Sequence, residues 1–427
     1  MMKSFTKMIA MCAVGALAMT GCARGDSSSE GGTASGPVPA DSCPADALAA
    51  VLDGEPIKIG VSLAQSGPLA VVNNIAQAID AVFKEANEAG GVEGHPLELV
   101  VKDDAFETAR AVTNVRELID SEQVTAMVAQ VGTPLVAATQ PFAEESCTPQ
   151  LWTATGVSDI AANPEAHPFT TANLMPYETE AALWIRSLTE SGRDGGRIVL
   201  VTTDDDRAKV FEQGVRDAVE GTNFELVGTE QVAAAAPSVT AQINGAMAQN
   251  PDVVLLGTNT TACPPLITGL RRADFGGQII VNNTCAAMKS NFMPIGATAN
   301  GVQVLTVTDD PANPVTAEDP EMLQYRETLG KFAPQADVDS SYTAGGYQIG
   351  KLMLDVLEQA AGLDGGLNRV NVMNAAWTID TEIPIGPDGA KTSLDWVNDP
   401  NWRDEVQLME YQHGEGLKSV VDVISIN

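Results

Sequence analysis

Basic residues are scarce in this chain. Lysine and arginine total 24 against 56 aspartates and glutamates, a formal charge of −32 at pH 7 over 427 residues. A surface so acidic repels phosphate backbones and anionic headgroups, which excludes nucleic acid and a charged membrane face as partners. The excess acid reads as serving solubility, the alternative being a specific basic partner. Past the N-terminus no stretch reaches the ~18 apolar residues of a transmembrane helix. The three histidines, His95, His167 and His413, lie far apart, and no C-x₂₋₄-C pair exists, so a zinc site is not expected. Also missing are a phosphate loop, a G-x-S-x-G elbow, an H-E-x-x-H pair and a dinucleotide G-x-G-x-x-G. Asp204-Asp205-Asp206 has neither the glycine nor the closing glutamate of an EF-hand and reads as a solvated loop. No catalytic constellation appears. An enzyme, a cofactor and a metal are therefore not expected.

What is present is globular. Apolar residues make up 44% of the chain, and its length suffices for two or three domains. The N-terminus reads as an export signal: Lys3 and Lys7, an apolar run from Met8 to Met19, then Thr20 and Gly21 before Cys22. Ala18-Met19-Thr20-Gly21-Cys22 resembles a bacterial lipobox, with Met19 where leucine is usual. The resemblance implies a diacylated Cys22 anchored to the cell membrane of a bacterium. The alternative is an ordinary cleaved signal with an incidental cysteine. Ala23 to Ser42 is nearly all Gly, Ser, Ala, Pro and acid, too polar to order itself. As a flexible coil it spans roughly 25 Å and suits a tether.

Setting aside Cys12 and Cys22 leaves Cys43, Cys147, Cys263 and Cys285, enough for two disulfides in an oxidising compartment with three possible connectivities. Cys263 and Cys285 each follow a strand of the second half. If those strands are neighbours the two cysteines share a sheet edge, which pairs Cys263 with Cys285. Cys43 and Cys147 then pin the end of the tether.

From Ile57 onward, buried-strand patterns alternate with helical ones. Ile57 to Leu63 reads as a strand, and Ile75, Ile79, Val82, Phe83 and Ala86 fall on one helix face. Strands over Leu97–Lys102, Val124–Ala129 and Gln150–Thr153 alternate with helices around Val112–Ile119 and Pro134–Glu145. A second series begins after Asn173, with strands over Arg197–Thr202, Glu225–Thr229, Asp252–Leu256 and Gln278–Val281. Such alternation means βαβ units and a parallel sheet with helices on both faces. The fold class is α/β, with two doubly wound parallel-sheet lobes. Helical patterns over Glu321–Phe332 and Tyr342–Ala360 return to the first lobe. An irregular tail broken by Pro384, Pro387 and Pro400, with a strand-like Ser419–Ile426, goes to the second. The expected division is 1–21 signal peptide, 22–54 anchor and tether, 55–174 plus 310–376 lobe 1, and 175–309 plus 377–427 lobe 2.

Ligands of doubly wound folds sit beyond the carboxyl ends of the strands, so the cleft between two such lobes is the expected site. Gly132-Thr133-Pro134 lies between a strand and a helix, with Thr133 as cap and Pro134 as first helical residue. A helix start there favours a carboxylate by about 0.3–1 kcal/mol.

Several stretches resemble the branched-chain amino-acid-binding proteins, the type I periplasmic binding proteins. They are Ile57-Lys58-Ile59-Gly60-Val61, Gln65-Ser66-Gly67-Pro68-Leu69-Ala70, Ala86-Asn87-Glu88-Ala89-Gly90-Gly91-Val92-Glu93-Gly94 and Ala154-Thr155-Gly156-Val157-Ser158. The resemblance covers roughly Ile57 to Ala360. It implies two lobes joined by a three-crossover hinge, a small-molecule ligand and ABC permease subunits as partners. It assigns ligand contacts to Thr133 and to Thr153, Ala154 and Thr155, the alternatives being a plain helix cap and a simple turn. In the second lobe it points to Arg207, Asn259, Asn283 and Tyr342, with Val72 where a tryptophan can lie. Asn283 stands near the family's acidic residue for an α-ammonium, and an amide cannot supply that ion pair. The expected ligand therefore lacks a free ammonium, unless Asp204, Asp205 or Asp206 supplies the anion. A sensor reporting to a signalling partner is the alternative to an importer.

Overall fold

The computed structural model describes residues 38, 40–233, 236–386, 391–394 and 405–425. The expected signal peptide, Cys22, the tether's first part, Pro387 and Pro400 lie outside them.

The first series runs β1 (Ile57–Leu63), α1 (Asn73–Glu88), β2 (Leu97–Asp103), α2 (Thr108–Asp120), β3 (Ala126–Val128), α3 (Thr133–Glu145), β4 (Gln150–Thr153), α4 (Ser158–Ala161) and β5 (Thr170–Ala172). The second runs α5 (Tyr177–Glu190), β6 (Gly196–Thr203), α6 (Arg207–Val219), β7 (Phe224–Val232), α7 (Thr240–Ala248), β8 (Val253–Gly257), α8 (Cys263–Arg272), β9 (Gln278–Val281) and β10 (Val302–Thr306). After them come α9 (Pro320–Phe332), α10 (Ser341–Ala361) and α11 (Arg369–Ala376). A small ribbon, β11 (Asp380–Glu382) with β12 (Lys391–Ser393), precedes the hairpin β13 (Glu405–Gln412) and β14 (Gly416–Ser425).

The first sheet has the order β2-β1-β3-β4-β5 and is parallel throughout. The second has the order β14-β13-β10-β9-β8-β6-β7. It is parallel from β7 to β10, but β13 and β14 join it antiparallel, so this lobe is mixed rather than wholly parallel. A chain that turns straight back after β13 by a tight hairpin cannot run parallel to it.

Strand alternation fills both faces of each sheet. In β6, Val199 and Val201 enter one core with Leu266, Ile267 and Leu270 of α8, while Ile198 and Leu200 enter another with Trp184 and Phe211. In the first lobe, Ile57, Ile59, Val61 and Leu63 pack with Ile79 and Phe83 of α1 and Leu352 and Val356 of α10. Each of these side chains contributes about 1.5–3 kcal/mol on full burial. The returning helices thus belong to the first lobe.

Two boundaries move. Trp377, Ile379 and Leu394 lie in the first core and Ile385 in the α1–α9–α10 cluster, so these residues pack with the first lobe rather than the second. The apolar side chains of this proline-broken stretch find their burial there. From Val38 the expected tether is also packed on the first lobe. Val38 and Ala47 are buried in its core, and Asp46 pairs with Arg369 at 3.3 Å. Cys43 is bonded to Cys147 and Cys263 to Cys285, with Cα–Cα distances of 5.7 and 6.1 Å.

Candidate functional site

Residues following the carboxyl ends of strands from both sheets line one cavity of about 220 Å³. The first lobe's strand-end wall is apolar: Leu69, Val72, Ile75, Phe106, Val131, Gly132 and Ala154. Its shape is set by the backbone. The Asp103 carboxylate accepts the Gln65, Ser66 and Ala105 amides at 2.8, 3.2 and 3.0 Å and the Ser66 hydroxyl at 2.7 Å, tying the loop after β1 to the end of β2. Those bonds, the Ser66 hydroxyl first, lower its pKa to about 2. The buried Asp104 accepts the Phe106 amide at 2.8 Å, and both Ala105 and Phe106 are left-handed, with φ 49 and 61°. That turn puts the Phe106 ring over Gly132, where φ is 106° and a Cβ would stand 2.6 Å from the ring. Only glycine fits both conditions.

The second lobe's wall is mostly polar, with Arg207 after β6, Asn259 and Thr260 after β8, and Asn283 and Thr284 after β9. Arg207 is buried, and its Nε donates to Asp205 at 2.8 Å. Burial opposes its charge, but Tyr177 and Asp205 outweigh that and hold the guanidinium above its usual range. Behind it, the buried Glu180 accepts the Asn283 amide at 2.5 Å. Burial pushes Glu180 up to about 8 against the pull of that amide and of Arg207.

The crossing after β10 closes the cavity with Thr308, Asp309 and Asp310. Buried Asp310 accepts the Met288 amide at 2.9 Å, the Ala312 amide at 2.8 Å and the Ser341 hydroxyl at 2.5 Å, joining the second lobe to the start of α10. Gln348 of α10 accepts from Thr308 at 3.2 Å and donates to the Pro384 carbonyl at 2.7 Å. Tyr342 meets Thr260 across the cleft; burial pushes its phenol up and that contact pulls it back.

Of the residues singled out in the sequence, Ala154, Arg207, Asn259, Asn283 and Tyr342 come together around this cavity, as does Val72. Asn259 also accepts the Ala262 amide and so caps the turn before α8. Thr133, Thr153 and Thr155 are not among the lining residues. All three are buried, Thr133 and Thr155 bonded to each other at 3.0 Å and Thr153 donating to the Thr171 carbonyl at 2.9 Å. The cap of α3 is Gly132 rather than Thr133, a shift of one residue that turns the threonine into the lobe. Asp205 is committed to Arg207. Sequence reasoning missed Phe106, Tyr177, Asp309, Asp310 and Ser341. Phe106 carries one usable signal, its place a few residues past the end of β2, where strand-end loops reach the cleft as those of β3 and β4 do; Asp310 follows β10, a strand the sequence pattern did not announce. Among the described residues no group of three or more His, Cys, Asp or Glu side chains is arranged to hold a metal ion, and no helix is long and apolar enough to cross a membrane.

A family profile described as periplasmic binding protein matches residues 56–394. No curated protein matches the chain. Among solved structures, a fatty acid ABC transporter substrate-binding protein from Thermomonospora curvata is similar with TM-score 0.75 and 18% identity, covering 88% of this chain and 94% of that one. A solute-binding protein of an ABC transporter from R. palustris, in complex with 4-hydroxybenzoate, has TM-score 0.73 and 17% identity, covering 86% and 97%. A possible leucine/isoleucine/valine-binding protein from Rhodopirellula baltica SH 1 has TM-score 0.71 and 22% identity, covering 87% and 98%. These likenesses carry the fold; the profile, spanning most of the chain, carries the family. With two α/β lobes and a cleft at their strand ends, this chain belongs to the periplasmic binding protein family, in its type I form.

Proposed function

We propose that this chain is the extracytoplasmic solute-binding component of an ABC importer, anchored to the cell membrane through lipid on Cys22. Its lobes, 55–174 with 310–386 and 391–394, and 175–233 with 236–309 and 405–425, close on a small ligand. The observation that carries this reading is the cavity lined by strand ends of both sheets and closed by the crossing after β10. Arg207 is the cation of the second wall, and Asp310, whose oxygens take three donors, has little left to offer an ammonium. An unpaired buried ammonium is costly. The favoured ligand is thus an amide, a urea-like compound or a carboxylic acid rather than a zwitterionic amino acid. Two similar structures are described by acids, a fatty acid and 4-hydroxybenzoate, which supports the same choice. Native mass spectrometry of the purified chain, followed by calorimetry with acids, amides and leucine, tests it. Micromolar or tighter binding of leucine, about 8 kcal/mol or more, contradicts the ligand class. Equal membrane retention of Cys22→Ser and wild type contradicts the anchor.

A further inference from the structure

The cleft does not end at Phe106. Beyond it lies a second cavity of about 390 Å³ that shares Leu69, Phe106 and Asn259 with the first. Its other walls come from both lobes and are almost wholly apolar: Pro68 and Ala105 from the first, Val232, Val239, Ala262 and Pro265 among those from the second. Among the described residues the sole further polar one lining it is Thr261. Apart from the shared Asn259 and its neighbour Thr260, the polar features of the first cavity lie away from it, around Arg207, Asn283 and Thr284 and at the crossing after β10. Arg207 has spent Nε on Asp205; among the described residues its terminal nitrogens hold no hydrogen bond.

A compact polar ligand fills only the first of these spaces. A ligand fitted to both has a hydrogen-bonding anionic head at Arg207 and an extended apolar body passing over Leu69 and Phe106. We infer that the solute is a linear amphipathic monocarboxylate, its carboxylate on Arg207 and its hydrocarbon chain in the second cavity. This rests on the solute-binding reading above and narrows it. Burying each added methylene raises affinity about fourfold until the cavity is full. A carboxylate on the guanidinium favours the acid over the alcohol of equal length by tenfold or more.

Calorimetric titration of the full chain with butanoate, hexanoate, octanoate, decanoate, octanol, benzoate and leucine tests this. Affinity is expected to climb along the acids and to exceed that for octanol, benzoate and leucine at octanoate. Pro68→Trp, on an exposed loop, plugs the second cavity and should remove the length dependence while leaving butanoate within about threefold. If that variant melts early, Ala262→Leu plugs the same space from the other lobe. Arg207→Gln should erase the preference for octanoate over octanol. Benzoate, leucine or butanoate binding as tightly as octanoate overturns the inference and leaves the solute-binding reading standing. So does a length series that neither plug changes, or a protein that ignores the whole panel yet carries another small molecule in native mass spectrometry. A protein that ignores the panel and carries nothing overturns both.

Discussion

The two walls of the cleft are built by different means. In the first lobe, Asp103, Asp104 and the left-handed Ala105 and Phe106 shape the backbone, and the surface they present is hydrocarbon. In the second, side chains set the surface: Arg207 held by Asp205, Asn283 held by Glu180, Asn259 used as a cap. A wall made by turns tolerates apolar substitution on its surface but not a change of backbone. A wall made by ion pairs tolerates neither loss of a partner nor a large change of pH. The lobes differ, then, in what breaks them.

The largest expected effect separates the disulfides. Cys43–Cys147 joins residues 104 apart and Cys263–Cys285 residues 22 apart. In the chain-entropy model, losing the first costs about 4.7 kcal/mol and losing the second roughly 3. Denaturant unfolding of Cys43→Ala/Cys147→Ala and Cys263→Ala/Cys285→Ala proteins checks the order. Equal costs would mean that loop entropy does not set the order and that native-state contacts of the bridges outweigh it.

A pH series sharpens the contrast next. Glu180 and Glu144 are both raised by burial above an ordinary 4.5, to about 8 and about 7. A folded pKa above the unfolded one means that the native state holds more protons between the two values. Stability is therefore greatest below about 4.5 for these groups and falls as pH rises through 7 and 8. Glu180→Gln should flatten a loss of a few kcal/mol up to pH 8, whereas Glu144→Gln should flatten it only to pH 7. A wild-type protein whose stability does not fall between pH 6 and 8 contradicts this.

Gly132→Val should cost about 2–3 kcal/mol, from the left-handed φ and the clash with Phe106, and should weaken ligand binding with it. Asn283→Ala, on the other wall, should leave the fold nearly as stable because its backbone amide still reaches Glu180. Thermal melts of the two variants decide. The smallest effect concerns a contact between the lobes, where Lys289 meets Asp337 at 2.5 Å. Both side chains are 41% exposed, so Lys289→Ala should change stability by less than about 1 kcal/mol. A larger loss would mark this pair as a latch.

The legible parts of the sequence were those with an uninterrupted period. Ile57–Leu63 and Gln278–Val281 were readable to the residue, and the helix read as Pro134–Glu145 begins at Thr133. β13 was not legible, although Val406, Leu408 and Tyr411 are buried, because its pairing with β14 shifts register on both sides of Leu408 and breaks the alternation. β5, with three residues, is too short to show a period. In the site, the family resemblance pointed to Arg207, Asn259 and Asn283, and each follows a strand whose end reaches the cleft. Phe106 also follows a readable strand, but the aim of its ring over Gly132 depends on two left-handed residues that no side-chain pattern announces. Thr133 shows the limit at finest scale: a one-residue change of cap decides whether a hydroxyl faces ligand or core.

The central claim is that one ligand touches both walls. Hydrogen–deuterium exchange of the full chain with and without octanoate measures this most directly. The account predicts joint slowing of the amides after β2, β3 and β4, at Phe106, Gly132 and Ala154, and of those after β8 and β9, at Asn259, Asn283 and Thr284. Slowing confined to one of the two sets, or in neither, would contradict it.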